Sequence, residues 1–199
     1  MKHITIKDIA EILFGTLLAG FGASLQFKAD LGSTPLSIFE QGVARTVGMP
    51  LGTAIWIVCV ALLAVGWLLN KNLVGLGSIT VSVLYGPFVS LANALFPFVP
   101  QGFLSRLAFC AAGISLLSFG VAVYIHPKKG VGPTEIIMMY LSEKFSMQIS
   151  LTRILSDALW FLLGWALGGT VGIGSVLGLL LSGPFIQFFS QRLSRGSGK

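Results

Sequence analysis

Residues Phe21 to Phe39 read F-G-A-S-L-Q-F-K-A-D-L-G-S-T-P-L-S-I-F, and residues Phe119 to Ile137 read F-G-V-A-V-Y-I-H-P-K-K-G-V-G-P-T-E-I-I. Laid side by side without a gap, at an offset of 98 residues, they match Phe21 with Phe119, Gly22 with Gly120, Gly32 with Gly130 and Pro35 with Pro133. At the same offset Gly66-Trp67 falls on Gly164-Trp165. One residue fewer aligns Gly75-Leu76-Gly77-Ser78 with Gly172-Ile173-Gly174-Ser175, and Gly86-Pro87-Phe88 with Gly183-Pro184-Phe185. A unit of roughly 95 to 100 residues is therefore written twice. Repeat one covers residues 9–100, repeat two 103–191, and a basic tail, expected to be disordered at its end, covers 192–199.

Of the 199 residues, 54% are apolar and only 10% charged, with a mean hydropathy of +0.88. A soluble domain carries about 25% charged residues, so the chain reads as a single all-α integral membrane domain whose surroundings are the lipid bilayer. Its net charge of +6 sits in short breaks between apolar runs and forms no stripe. Nucleic acid is not an expected partner, and the basic residues read as topology determinants. Cys59 and Cys110 lie inside apolar runs and read as buried packing residues, since free Cys behaves as a small hydrophobe. No metal-ligand cluster, cofactor motif or nucleophile with a base is visible, so no enzyme is expected. The N-terminal segment carries Asp8 and Glu11 and runs straight into a repeat, unlike a cleavable signal peptide.

A membrane span needs about 20 predominantly apolar residues. Six such stretches are predicted, over 9–27, 51–69, 76–96, 103–125, 149–167 and 174–189. Two further segments, Leu31 to Val47 and Pro133 to Phe145, are too short and polar to cross. Each begins with a Gly-containing turn and a Pro suited to the first helical position, where its missing N–H costs nothing. They read as short helices, re-entrant or interfacial. With the N-terminus in the cytoplasm, Lys2, Lys7, Lys71, Lys128, Lys129, Lys144, Arg192, Arg195 and Lys199 fall inside, against Lys28, Arg45 and Arg106 outside. That bias predicts two cytoplasmic termini in a bacterial plasma membrane. A unit with three spans ends opposite to where it began, so the second copy must insert upside down. Six transmembrane helices in two inverted-topology three-span repeats are the expected architecture, a hallmark of secondary transporters whose sites lie at the repeat interface.

Chemistry is expected in two places. The helix starts at Ser33-Thr34-Pro35 and Gly130-Val131-Gly132-Pro133 expose backbone N–H groups and the positive end of a dipole, which favour an anion or a carboxylate. Arg153 and Asp157 lie four residues apart on one helix face within an apolar span, where ionisable groups are costly and point to function. Glu135 stands in the first turn of the second short helix, where the first copy has Ser37. Glu40 reads as a solvated or interfacial charge, His126 and Lys28 as interface anchors, and Trp67 and Trp165 as members of the aromatic belt. The Gly-x-Gly-Ser and Gly-Pro-Phe motifs suit close helix approach and a kink in the third span of each copy.

The order Gly130-x-Gly132-Pro133-x-Glu135, then Arg153-x-x-x-Asp157, then Gly164-Trp165-x-Leu167-Gly168-Gly169, then Gly172-x-Gly174-Ser175 and Gly183-Pro184, resembles the bacterial YczE/YitT-type membrane proteins over nearly the whole chain. In the first half the family's usual Pro-Trp-Asp is replaced by Pro35-Leu36-Ser37. The resemblance implies a fold and a membrane location rather than a substrate, and some members are associated with supporting other pathways. The reading is then a transporter or channel for a small, anionic solute or ion. Its binding residues are expected among Arg153, Asp157, Glu135, Gly130, Gly132, Pro133, Ser33 and Thr34, and its site is expected to be completed by homodimerisation. The alternative is a non-transporting accessory or regulatory protein that binds another membrane protein.

Overall fold

The computed structural model describes residues 4–196; the chemistry of Met1 to His3 and of the ending at 197–199 lies outside them. Among the described residues the chain forms eight α-helices: α1 Ile6–Ala29, α2 Pro35–Val47, α3 Leu51–Asn70, α4 Leu76–Leu95, α5 Phe103–Ile125, α6 Pro133–Lys144, α7 Ile149–Ala166 and α8 Ile173–Gly196. A 3-10 turn, Lys71–Leu73, extends α3. Six helices are long and apolar enough to cross a membrane, all but α2 and α6.

Local chemistry sets the ends. Thr5 caps α1 through a reciprocal pair of bonds with Asp8, at 2.9 and 3.2 Å, so this helix starts earlier than the apolar run and takes in Lys7 and Asp8. Pro35 and Pro133 occupy the first turns of α2 and α6 as expected. At the other end α8 runs through Arg192 to Gly196, so Arg195 and Gly196, the first residues of the ending expected to be disordered, are helical. Cations in a last helical turn are favoured by the dipole, and the Arg192 guanidinium lies 5.1 Å from the Phe188 ring. Trp67 and Trp165 are exposed near helix ends, as belt residues should be. Lys28 departs from an anchor's posture: its ammonium is buried and has no partner among the described residues.

The middle of the bundle is the α1–α5 pair. Gly15 lies against Gly120 and Tyr124, and Gly22 against Gly113 and Leu117, so the two helices run antiparallel with backbones in contact. In lipid, where apolar burial between helices gains little, such close approach supplies the dispersion energy. α4 packs along α1 and α8 along α5, while α2 packs on α7 and α6 on α3. The short helices thus lean on the opposite repeat's span.

The doubled Gly-x-Gly-Ser motif turns out to be a clasp between a loop and a helix start. The Gly77 N–H donates to the Lys129 carbonyl at 2.9 Å, and the Gly174 N–H to the Leu31 carbonyl at 2.7 Å. Ser78 Oγ accepts from the Gly75 N–H at 3.3 Å and donates to the Val131 carbonyl at 2.6 Å. Ser175 Oγ accepts from the Gly172 N–H at 3.3 Å. The start of α4 therefore holds the turn that feeds α6, and the start of α8 holds the turn that feeds α2. Gly130 and Gly32 adopt φ of 128° and 90° in these turns, a backbone form open to glycine and strained for other residues.

Polar contacts separate the two ends of the bundle. At one end Lys129 pairs with Asp8 at 3.6 Å, and His126 Nδ1 lies 2.8 Å from Glu11. At the other, Arg45 donates to the Gly168 carbonyl at 2.6 Å and to Thr170 Oγ1 at 2.9 Å, and Thr170 Oγ1 donates to Asp30 at 3.1 Å.

One contact has no counterpart. α3 packs tightly along α4, and a Cβ on Gly86 would meet the Gly52 carbonyl and lie 2.7 Å from the Trp56 nitrogen. Among the described residues the matching helices α7 and α8 make no comparable packing, and Gly183 faces open space.

Candidate functional site

Both short-helix starts reach one cavity of about 160 Å³ in the middle of the bundle. Thr34, Pro35 and Ser37 enter it from α2, and Gly132, Pro133 and Glu135 from α6. Arg153 and Asp157 of α7 form part of its wall. Six of the residues expected from the sequence are therefore brought together: Thr34, Gly132, Pro133, Glu135, Arg153 and Asp157. Ser33 and Gly130 are not on the lining. Ser33 is buried in the turn ahead of α2, and Gly130 backs onto Ser78.

The lining pairs positions from both units. Ala19 and Leu117 stand at the repeat offset, as do Thr34 to Ser37 and Gly132 to Glu135, and Cys59 and Asp157; all line the cavity. Tyr85 and Ser182, each just ahead of a Gly-Pro pair, do the same.

The two helix starts differ in chemistry. α6 carries Glu135 at its third position, with the carboxylate folded back over the helix start: a Cβ on Gly132 would run into Glu135 Oε2 and lie 3.0 Å from the Tyr124 hydroxyl. Thr134 Oγ1 donates to that carboxylate at 3.0 Å. A negative charge here offsets the helix's unpaired N–H groups. The first turn of α2 has no acid, and no side chain caps it. Thr34 Oγ1 instead donates to Ser37 Oγ at 3.0 Å.

Arg153 Nε lies 3.9 Å from Asp157 Oδ2, the limit of an ion pair and beyond a hydrogen bond. Their side chains are 48% and 30% exposed, and Leu179 and Ser182 of α8 line the cavity with them.

Glu40 overturns the expectation of a solvated charge. It is 0% exposed, enclosed where α2 is wedged between α3 and α7. Its Oε1 accepts from the Cys59 thiol at 3.6 Å, and its Oε2 has no partner among the described residues. Burial pushes its carboxyl up to about 8, so it is protonated at neutral pH. Cys59 and Cys110 are free and buried, as expected, although Cys59 also lines the cavity.

Two tyrosines were not singled out from the sequence. Tyr85 and Tyr124 both line the cavity, and Tyr124 is 5% exposed with its hydroxyl unbonded among the described residues. For Tyr85 the available signal was position, inside a predicted span and away from the headgroup belt where Tyr normally sits; Tyr124, one residue from the end of its predicted span, carried no such signal.

Residues 6–191 match a family of unknown function (DUF6198). The chain is 31% identical over 189 residues to an uncharacterized protein of Haemophilus influenzae, covering 95% of this chain and 86% of that one. It is 27% identical over 191 residues to the uncharacterized membrane protein YczE of Bacillus subtilis, covering 94% and 87%, and 26% identical over 188 residues to YyaS of the same organism, covering 91% of each. No solved structure matches the chain. With a family match along almost its full length and six helices fit to cross a bilayer, the chain belongs to this family of YczE-type multi-pass membrane proteins.

Proposed function

We propose that the chain is a transporter or channel for a small solute, with its site in the cavity between the α2 and α6 starts. The observation that supports this most directly is the lining, drawn from equivalent positions of both units around two half-length helices that begin at its centre. Broken or half-length helices at bilayer depth are tolerated where they line a cavity, and their N-termini are suited to bind a negative group. The α2 start, with Arg153 nearby, is the anion-binding end of the site. The units insert with opposite topology in the bacterial plasma membrane, both termini in the cytoplasm, and exchange proceeds by rocking of one unit against the other. A second copy seated along α7 and α8 covers the apolar side chains exposed there, among them Ile154, Leu155, Val176 and Leu180.

The test is uptake into proteoliposomes from a panel of small solutes, with Arg153→Ala and Asp157→Ala as controls. Saturable uptake reduced at least tenfold by either change supports the reading; a well-folded protein that moves nothing on the panel sinks it. Mass measurement in detergent and in nanodiscs reads the dimer. The accessory role gains from one observation, the uncovered face of α7 and α8, and it predicts that Gly183→Leu abolishes partner capture while no solute is moved.

A further inference from the structure

We propose that the cavity binds a small zwitterion of the amino-acid type, its carboxylate at the start of α2 and its ammonium on Glu135. This rests on the cavity being the site proposed above, and it names what fills it. Four observations converge. The α2 start offers the N–H groups of Leu36 and Ser37 with no acidic residue in its first turn, so it remains open to a ligand's carboxylate. The equivalent place on α6 is already taken by Glu135, so a second anion there meets a charge of its own sign. Charged side chains on the lining are Glu135, Asp157 and Arg153. Arg153 and Asp157 face each other at 3.9 Å, and Glu135, held by the Thr134 hydroxyl and the α6 start, has no cation within ion-pair distance among the described residues. A carboxylate at membrane depth without a cation is costly, and a ligand ammonium supplies one.

The fourth observation is Tyr124. The residue is 5% exposed and lines the cavity, its hydroxyl lies beside Gly132 and Glu135, and that hydroxyl bonds to no described residue. A buried phenol normally has a partner, and a ligand ammonium seated on Glu135 is within its reach as a donor. A simple carboxylate fills only the α2 end, and a simple amine only the Glu135 end. The volume of about 160 Å³ sets the size. A cavity of about 150 Å³ takes benzene, so the occupant has about as many heavy atoms as alanine.

The probes are therefore L-alanine and its two halves, propionate and ethylamine, titrated by calorimetry onto the full-length protein in nanodiscs. Alanine is expected to bind at least tenfold more tightly than either half. Glu135→Gln lowers alanine affinity at least tenfold and leaves propionate unchanged or tighter, whereas Ser37→Asp, which puts an acid on the α2 start, abolishes alanine and propionate binding but spares ethylamine. Alanine binding no tighter than propionate in the unmodified protein overturns the proposal, and that comparison needs no variant to fold. Unchanged alanine affinity in folded Glu135→Gln overturns it as well. Uptake separates the two readings: alanine bound but never moved counts against transport and leaves the zwitterion site standing, while propionate moved without alanine binding does the reverse.

Discussion

Glu40 is the residue whose environment departs furthest from its chemistry. A carboxyl with no solvent contact, one weak thiol donor and one empty oxygen is held neutral by desolvation. Its value rises from 4.5 to about 8, so between those pH values the folded chain holds a proton that the unfolded chain releases. The stability this protonation maintains is fully present below 4.5 and is lost as pH rises through 8, with a slope of up to about 1.4 kcal/mol per pH unit. The melting temperature in detergent is accordingly expected to fall between pH 5 and pH 8. Glu40→Gln keeps the neutral shape and flattens the profile; an equal slope in that variant would assign the pH dependence to another group. Nothing in the sequence pointed to this burial, because Glu40 in a 13-residue helix looks like an interfacial charge until the helix is enclosed on all sides by α3 and α7. Asp157 was more legible: an acid within a predicted span, four residues from an arginine, has few places to go other than a cavity.

Between elements, the clasps decide how the half-length helices are held. Ser78 is 0% exposed and serves both the Gly75 N–H and the Val131 carbonyl, so Ser78→Ala leaves two half-buried backbone groups short of a partner, at a cost of about 1–3 kcal/mol. Among the described residues the Ser175 hydroxyl makes only the bond from the Gly172 N–H, so Ser175→Ala should cost less. Thermal melts of the two variants rank them, and a larger loss at Ser175 would contradict the clasp as described. The Gly-Pro pairs give a sharper contrast. Gly86→Ala drives a methyl into the backbone of α3 and is expected to destabilise by about 1–3 kcal/mol, whereas Gly183→Ala meets nothing and gains roughly 0.5–1 kcal/mol of helix preference. Opposite signs at two positions with the same Gly-Pro-Phe context are the expected result. The motifs themselves were readable as repeats, and the half-length helices as Pro-initiated segments too short to cross. What the sequence could not contain is that one Gly-Pro face is filled and the other vacant, since that depends on partners on another helix, Gly52 and Trp56.

At the scale of the whole molecule, contacts sort the connecting segments into two sets. Thr5 to Glu11, Gly75 to Gly77 and His126 to Gly130 gather at one end; Asp30, Arg45 and Leu167 to Gly172 gather at the other. With each clasp joining a turn of one unit to a helix start of the other, the proposed topology has both short helices enter from and return to the same end. Crossing of the membrane by either would carry its following segments to the wrong set. The lysines of the first set outnumber the basic residues of the second, which predicts a cytoplasmic first set. Cysteine labelling tests this with little background, because Cys59 and Cys110 are buried. Asn72→Cys and Gln148→Cys are expected to react with a membrane-impermeant maleimide only from the cytoplasmic side, and Gln101→Cys and Val171→Cys only from outside, all four positions being exposed. The pair Asn72 and Gln148 carries the most weight: they follow different short helices, so a crossing by α2 moves Asn72 outside and a crossing by α6 moves Gln148, while external labelling at neither position leaves both helices re-entrant.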